Sequence, residues 1–469
     1  MGTNRILGQQ TYGTFTPRPS KPGEMTRSQA FAYRVISTEN GRTTVLYKSE
    51  SEPEARHEFE RAAIAARSSG SPAKIALDVF QVEERETWSA RPCVSQPPKP
   101  ASQRRTGRNG KMRILYVPLE MPVWTSARGW TYSANLAYAH ALRALGHDVT
   151  VLNTLTIQYR DLLEAKPFDQ VWTHLHFRHA TDHFYREWLS ECAPIRVGLA
   201  GESVFYTAEE KAASPWYEAQ TKAWEDWKPF LTHAAFVGPR DAELVSAGAG
   251  ARSPLRVAAW RQGVPQDLIG PVIENPRTAL GIFCGAAYPP RDRWIFHPAL
   301  RTLLAKPHAP EGASFDGKFL RTHQAIHTWL RATGLAPALA LDLYHRRLGS
   351  LRRFATRKFI RALGQGSCVV NLPSMVKAYS GRVVEGMAAG RPVVTWAPAG
   401  ELEVFDPVPG PGQEIVHYGD SPESLAEAIE RLQKDPEQAT RIARNARAKI
   451  LAEHTVEKRA ADLAAWASE

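Results

Sequence analysis

Cys368-Val-Val-Asn-Leu-Pro373-Ser-Met-Val-Lys377-Ala-Tyr-Ser380-Gly381-Arg382-Val-Val-Glu385-Gly-Met-Ala-Ala-Gly390-Arg-Pro392-Val-Val-Thr-Trp396 is the stretch that decides the fold class. Its first residues form a short, continuous apolar run, the pattern of a strand buried on both faces of a parallel sheet. A polar loop follows, then a helix that opens near Gly381 and stops at Gly390, a residue suited to the left-handed turn after a helix. A second apolar run over 392–396 repeats the strand signal. Strand, helix and strand at this spacing make a right-handed crossover unit. The helix opening has chemical consequences too. Ser380 and Gly381 let a ligand approach the backbone N–H groups closely, which suits a diphosphate. Arg382 adds a fork of donors for phosphate oxygens. Glu385 offers two acceptors for a pair of sugar hydroxyls.

The same grammar extends outward. Strands are predicted over 280–284 and 338–343 upstream, with amphipathic helices over 422–434 and 436–453 and a closing helix downstream. A separate alternating set begins at Met112. Its strands are predicted over 113–117, 148–152, 170–174, 196–199 and 234–237, with a helix over 133–145 closed by Gly146. Alternation of this kind specifies doubly wound α/β domains. The expected architecture is therefore α/β, with two tandem Rossmann-like domains, 112–265 and 278–455, facing a cleft. A C-terminal helix over 456–469 is positioned to cross back to the first of them. Ahead of both lie a tail over 1–29 whose composition predicts disorder, a small ββαβ module over 30–86, and a basic, Pro-rich linker over 87–111. In the module, strands are predicted over 31–37, 42–47 and 74–82, with a turn at Asn40-Gly41 and a helix over 51–68.

The segment from 366 to 459 resembles the sugar-nucleotide half of GT-B-fold glycosyltransferases. Within them it is most similar to the CgeB-like, spore-maturation group related to the large retaining family 4. Arg382-x-x-Glu385, the small-residue helix to Gly390, Glu414-Ile-Val-His-Tyr-Gly-Asp420, Asp435-Pro436-Glu437 and His454-Thr455-Val-Glu-Lys-Arg459 carry the likeness. Phe283-Cys-Gly285 through Arg291 is similar to the first strand and loop of the same half. The resemblance implies a nucleotide sugar as co-substrate and no bound cofactor. It implies that Glu385 binds the donor's ribose, while Arg382, Arg291 and the Ser380–Gly381 backbone face the diphosphate. Arg293 is an equal candidate for the place of Arg291. One departure stands out: the retaining family usually has a glutamate where this chain has Lys377, eight residues before Glu385. Lys377 is alternatively a phosphate contact.

The acceptor side is expected in the first domain, at the carboxyl ends of its strands. His176, past the strand at 170–174, is a candidate general base because an imidazole titrates near operating pH. Glu202, past the strand at 196–199, is the alternative base. Arg128 and Gly129 lie in the first strand–helix loop, which borders the cleft in this fold. His174, His176, His179 and His183 fall within ten residues, yet no companion carboxylate spacing accompanies them, and no metal is expected.

Composition bounds the rest. The chain has 469 residues, and 59 basic against 48 acidic residues leave a net charge of +11. Residues 1–111 hold 18 basic and 11 acidic residues, and Arg104 and Arg105 sit in an acid-free run there. A second acid-free run, 344–361, places Arg353, Arg357 and Arg361 four residues apart on one helical face. Such a surface attracts polyanions. The resemblance implies a cell-envelope or spore glycan or protein as acceptor, while the charge favours the alternative, a modified base in phage-type DNA. A non-catalytic nucleotide-sugar- or nucleic-acid-binding scaffold is the non-enzymatic rival. The four cysteines (Cys93, Cys192, Cys284, Cys368) lack ligand spacing and read as thiols of a reducing compartment. No run is long and apolar enough to span a bilayer, and no secretory signal opens the chain, so a cytoplasmic location is expected.

Overall fold

The computed structural model describes residues 25–39, 42–49, 74–88, 111–120, 134–153, 156, 157, 159, 163, 167–175, 183–213, 215–249, 255–285, 291–305, 312–331, 336–373, 377–397 and 404–469. The chain divides into two compact units, Met1–Arg105 and Thr106–Glu469. In the first unit, β1 (Met25–Glu39), β2 (Arg42–Ser49) and β3 (Lys74–Trp88) form an antiparallel sheet in the order β2-β1-β3. The expected hairpin is present, with Glu39 opposite Arg42, and both long strands run beyond their predicted ends. The helix expected over 51–68 lies outside the described residues, as do the tail 1–24 and the linker residues 89–110.

The second unit begins with β4 (Arg113–Val117), α1 (Ala134–Ala144) and β5 (Asp148–Val151). It continues through β6 (Gln170–Leu175), α2 (His183–Cys192), β7 (Ile195–Ala200), α3 (Ala208–Ala213) and α4 (Pro215–Trp227). Then come β8 (His233–Phe236), α5 (Pro239–Ala249) and β9 (Arg256–Ala259). The six strands are parallel and ordered β5-β4-β6-β7-β8-β9. Strand periodicity is read directly in the packing. Leu115 and Val117 enter one core and Ile114 and Tyr116 the other, so the sheet is covered on both faces. Gly146 closes α1 with φ of 91°, a conformation that a side chain would strain.

The second sheet is built from β10 (Gly281–Ile282), α6 (Asp292–Ile295), β11 (Leu304–Ala305), α7 (Gly312–Arg331), α8 (Pro337–Leu363) and β12 (Cys368–Asn371). It is completed by α9 (Gly381–Ala388), β13 (Val393–Trp396) and β14 (Val416–Tyr418). The chain ends in α10 (Pro422–Lys434), α11 (Pro436–Glu453) and α12 (Val456–Ser468). The five strands are parallel in the order β11-β10-β12-β13-β14. Two Rossmann-like sheets in tandem are thus present as expected. The short strands β9 and β11 were not legible from sequence; they are half-buried edge strands without a continuous apolar run.

Residues 338–343, expected as a strand, form the first turns of α8. The correction has a simple cause. A short apolar run does not discriminate strand from buried helix, and here Pro337 opens a helix that continues for 27 residues. This helix also joins the two lobes. Leu341, Tyr344, Leu348 and Leu351 pack into a core of the first sheet, with Phe319 and Ile326 of α7. Phe359, Ile360 and Leu363 pack into a core of the second. The closing helix α12 returns to the first sheet, where Val456, Ala460 and Leu463 meet Tyr138, Leu142 and Trp260.

Candidate functional site

Strand order reverses in the second sheet between β10 and β12, and ligands of such sheets bind at the carboxyl ends flanking that reversal. Four of the residues singled out from sequence meet there. Past β10, Phe283 is buried and both Arg291 and Arg382 lie against its ring, with guanidinium carbons 5.6 and 5.5 Å from the centroid. A methyl group placed on Gly285 would sit 3.1 Å from Arg382 and 3.2 Å from Arg291, so both cations border one spot that glycine leaves open. Arg291 is held by its Nε–H donating to the Pro373 carbonyl at 3.0 Å. Arg293, its sequence rival, points outward and lies exposed over Trp294.

Burial makes this pair unusual. Arg291 and Arg382 are 5% and 6% exposed, and the buried Nε of Arg382 has no hydrogen-bond partner. Buried polar groups are normally satisfied, and one that is not requires a reason. The acid that shares Arg382's helix is Glu385, one turn on and 7% exposed. Burial pushes its carboxyl up to about 7, against the opposing pull of Arg382. The carboxyl beside Arg382 resists ionisation and so leaves a surplus of positive charge at that guanidinium. Anion binding is what such a surplus suits.

The start of α9 completes the pocket. Ser380 takes the extended conformation at the N-cap, but its hydroxyl does not cap the helix; it donates to Asn371 Oδ1 at 2.9 Å. Asn371 is tied in turn to Thr395 Oγ1 on the neighbouring strand. The first turn of α9 is therefore left without a side-chain cap, at the place where glycine 381 packs against Gln262. Gly390 ends the helix at φ of 72°, tight against the Pro271 carbonyl.

Lys377 does not join the arginines. Its Nζ lies 2.7 Å from Glu210 of α3 and 5.2 Å from the centre of the Tyr206 ring, and its backbone N–H donates to Ser203 Oγ at 3.0 Å. These contacts join the loop after β12 to the segment after β7, so the carboxyl ends of the two sheets face each other. A cavity of about 200 Å³ lies here, with Phe205, Tyr206 and Leu244 on its apolar side and Arg240, Asp241 and Lys377 on its polar side. Burial raises Asp241 to about 6, although it accepts from the Ser203 hydroxyl and the amides of Val204 and Phe205. Burial raises the Tyr206 phenol too, with added repulsion from Glu202, Asp241 and Glu210. Glu202 is thus half-buried next to this cluster. Asp241 lies outside the set expected from sequence, although a carboxylate just past the strand end at Phe236 was a usable signal.

His176, Gly129, Arg128, Arg104 and Arg105 lie outside the described residues. His174 is a core imidazole: it is buried, shares a 3.1 Å hydrogen bond with the Tyr116 hydroxyl, and burial lowers it to about 3. Among the described residues no group of three or more His, Cys, Asp or Glu is placed to hold a metal. The basic stripe is partly neutralised. Arg353 and Arg357 both reach Asp267, at 2.5 and 3.5 Å, and Arg361 is exposed. No helix among the described residues is long and apolar enough to cross a membrane.

The family model described as "Glycosyl transferase-like" matches residues 322–465, a span that contains Lys377, Arg382 and Glu385. Comparison with curated protein sequences finds no match. Solved structures similar to the chain include sucrose-phosphate synthase from Thermosynechococcus elongatus, at 13% identity and a TM-score of 0.48, covering 76% of this chain and 98% of that one. An α,α-trehalose-phosphate synthase (UDP-forming) from Burkholderia vietnamiensis is similar at 11% identity and a TM-score of 0.44, over 76% of this chain and 97% of that one. TarM from S. aureus, in complex with UDP among other ligands, is similar at 10% identity and a TM-score of 0.41, over 67% and 59%.

Proposed function

We propose that the chain is a glycosyltransferase of the GT-B type that takes its sugar from a nucleoside-diphosphate donor. The supporting observation is the pair of buried arginines at the strand-order reversal, beside a helix that opens uncapped within the span matched by the glycosyl-transferase family model. In this reading Arg291, Arg382 and the Ser380–Gly381 backbone hold the diphosphate, and Glu385 accepts from the ribose hydroxyls. The acceptor oxygen forms a bond to the anomeric carbon as the bond from that carbon to the diphosphate breaks. The leaving diphosphate keeps the electron pair, and the fixed cations stabilise the charge that develops on it without having to reorganise. The acceptor's proton passes to a base on the first lobe, for which Glu202 and His176 are the candidates. The acceptor sits at the cavity bordered by Tyr206 and Asp241, and we assign it to cell-envelope or spore glycan or protein, as in the CgeB-like group. A DNA acceptor has less support, since two of the three arginines of the basic stripe are engaged with Asp267.

Incubation with a panel of nucleotide sugars, read by nucleoside-diphosphate release and by mass spectrometry of candidate acceptors, tests the reading. Glu385→Ala is expected to abolish transfer while the melting profile stays cooperative. Wild-type turnover in that variant would remove the donor-site assignment.

A further inference from the structure

The outward face of α8 is not used by the proposed transfer, and its composition is specific. Placed at 100° per residue, its exposed side chains from residue 339 to residue 361 fall within an arc of about 120°, and that face is about 33 Å long. Three large apolar side chains stand on it: Leu339, Leu343 and Phe354, at 47%, 40% and 43% exposure. They share it with Arg347, Lys358 and Arg361, which are exposed and have no acidic partner among the described residues. Arg346, Arg353 and Arg357 flank them and are ion-paired with Asp342 or Asp267. The inner face of the same helix is fixed in the cores of both sheets, so the outer one is a firmly held ledge on the protein.

We propose that this ledge docks the protein on an anionic lipid surface. Charge complementarity selects an anionic partner, and the apolar residues select among anionic partners. A nucleic-acid backbone would satisfy the guanidiniums but offers nothing to Leu339 and Leu343. A bilayer surface presents phosphate headgroups and, just beneath them, acyl chains, and so takes both sets from one plane. The helix does not insert as a span; it lies along the surface with its basic side chains at headgroup level and the three apolar side chains below them. The inference is independent of the transferase reading, because it uses none of the residues of the donor pocket.

Co-sedimentation of the full chain with vesicles tests it. Vesicles of phosphatidylcholine containing about one third phosphatidylglycerol are expected to carry the protein down, and vesicles of phosphatidylcholine alone are not. The triple variant Arg347→Glu, Lys358→Glu, Arg361→Glu is expected to cut partitioning by about tenfold or more. The double variant Leu343→Ser, Phe354→Ser is expected to cut it by about threefold or more. All five positions are exposed, so unchanged circular dichroism and melting accompany these losses. Failure to sediment with the anionic vesicles overturns the proposal. So does sedimentation that survives the charge reversal, which would place the anion-binding surface elsewhere in the chain. Weakening by charge reversal alone, with the serine variant unchanged and duplex DNA bound equally well, would assign the face to nucleic acid instead.

Discussion

Arginine is buried against an aromatic ring in several parts of this molecule, and two of them treat its charge differently. In the first, Arg352 of α8 lies 4.6 Å over Phe319 and directs its guanidinium at both carboxylate oxygens of Glu120, just past β4. Both side chains are almost fully buried, at 3% and 4% exposure. In the second, Arg291 and Arg382 share the ring of Phe283, and the adjacent carboxyl, Glu385, is itself held towards neutrality by burial. Residue type, burial and aromatic support are alike; the counter-charge is not. A compensated pair fastens α8 to the carboxyl end of β4. At the second place the neighbouring carboxyl resists ionisation, and the partner proposed for the arginines is an anion that comes and goes. What separates architecture from site is the charge balance.

The sharpest way to break this comparison is Arg382→Met. On the proposed donor-site reading, loss of this preorganised cation is expected to lower kcat/KM by about a thousandfold, roughly 4 kcal/mol. The thermal midpoint should hold or rise, since a buried guanidinium whose Nε is unsatisfied is removed. A stability loss as large as that of an Arg352 variant would mean that both arginines are structural. Arg352→Ala should cost about 3–5 kcal/mol in urea unfolding, because the buried Glu120 carboxylate loses its guanidinium partner. Joint replacement of Glu120 and Arg352 by apolar residues of similar volume should recover most of it.

Glu385 supplies the pH test. Its folded pKa, about 7, lies above its unfolded value, so its contribution to stability is fully present below about pH 4.5 and is lost as pH rises through 7. Glu385→Gln, which imitates the protonated form, should match wild type in acid and exceed it at alkaline pH by up to about 3 kcal/mol. Chemical denaturation across the pH range checks this, and a variant equally stable or weaker at alkaline pH would contradict the burial of an ionisable carboxyl there. The smallest effect belongs to Glu210→Ala. The Lys377–Glu210 pair is about one-third exposed on each side, so its loss should cost under about 1 kcal/mol and mainly change the approach of the two lobes. Small-angle scattering with and without a nucleoside diphosphate would register that change.

Much of the second lobe was readable because its signals are local. The buried strand at 368–371, the helix opening at Gly381 and its stop at Gly390 are each set by residues within a turn or two. Arg382 and Glu385 were legible for the same reason, being tied to the helix start. Arg291 and Arg293 could not be told apart, because two residues of one loop differ only in which of them the fold turns inward. Asp241 had a usable signal, its place just past a strand end, but the Glu120–Arg352 pair was illegible, because its importance comes from a contact between residues 232 apart in the chain. The strand expected over 338–343 failed because apolar content records burial without recording the element that achieves it.

The amino-acid sequence by itself determined the alternation of strands and helices, the two parallel sheets and the chemistry gathered at the start of α9, because hydrophobic period and helix ends are short-range properties. Only tertiary structure decided that α7 and most of α8, inserted between strands of the second sheet, pack on the first, and which arginines are neutralised. An amphipathic helix specifies that one face must leave water, but the surface that receives it is chosen by shape and volume across the whole chain. The charge balance around Arg382 is likewise a sum over distant neighbours, and it exists only once the chain has folded.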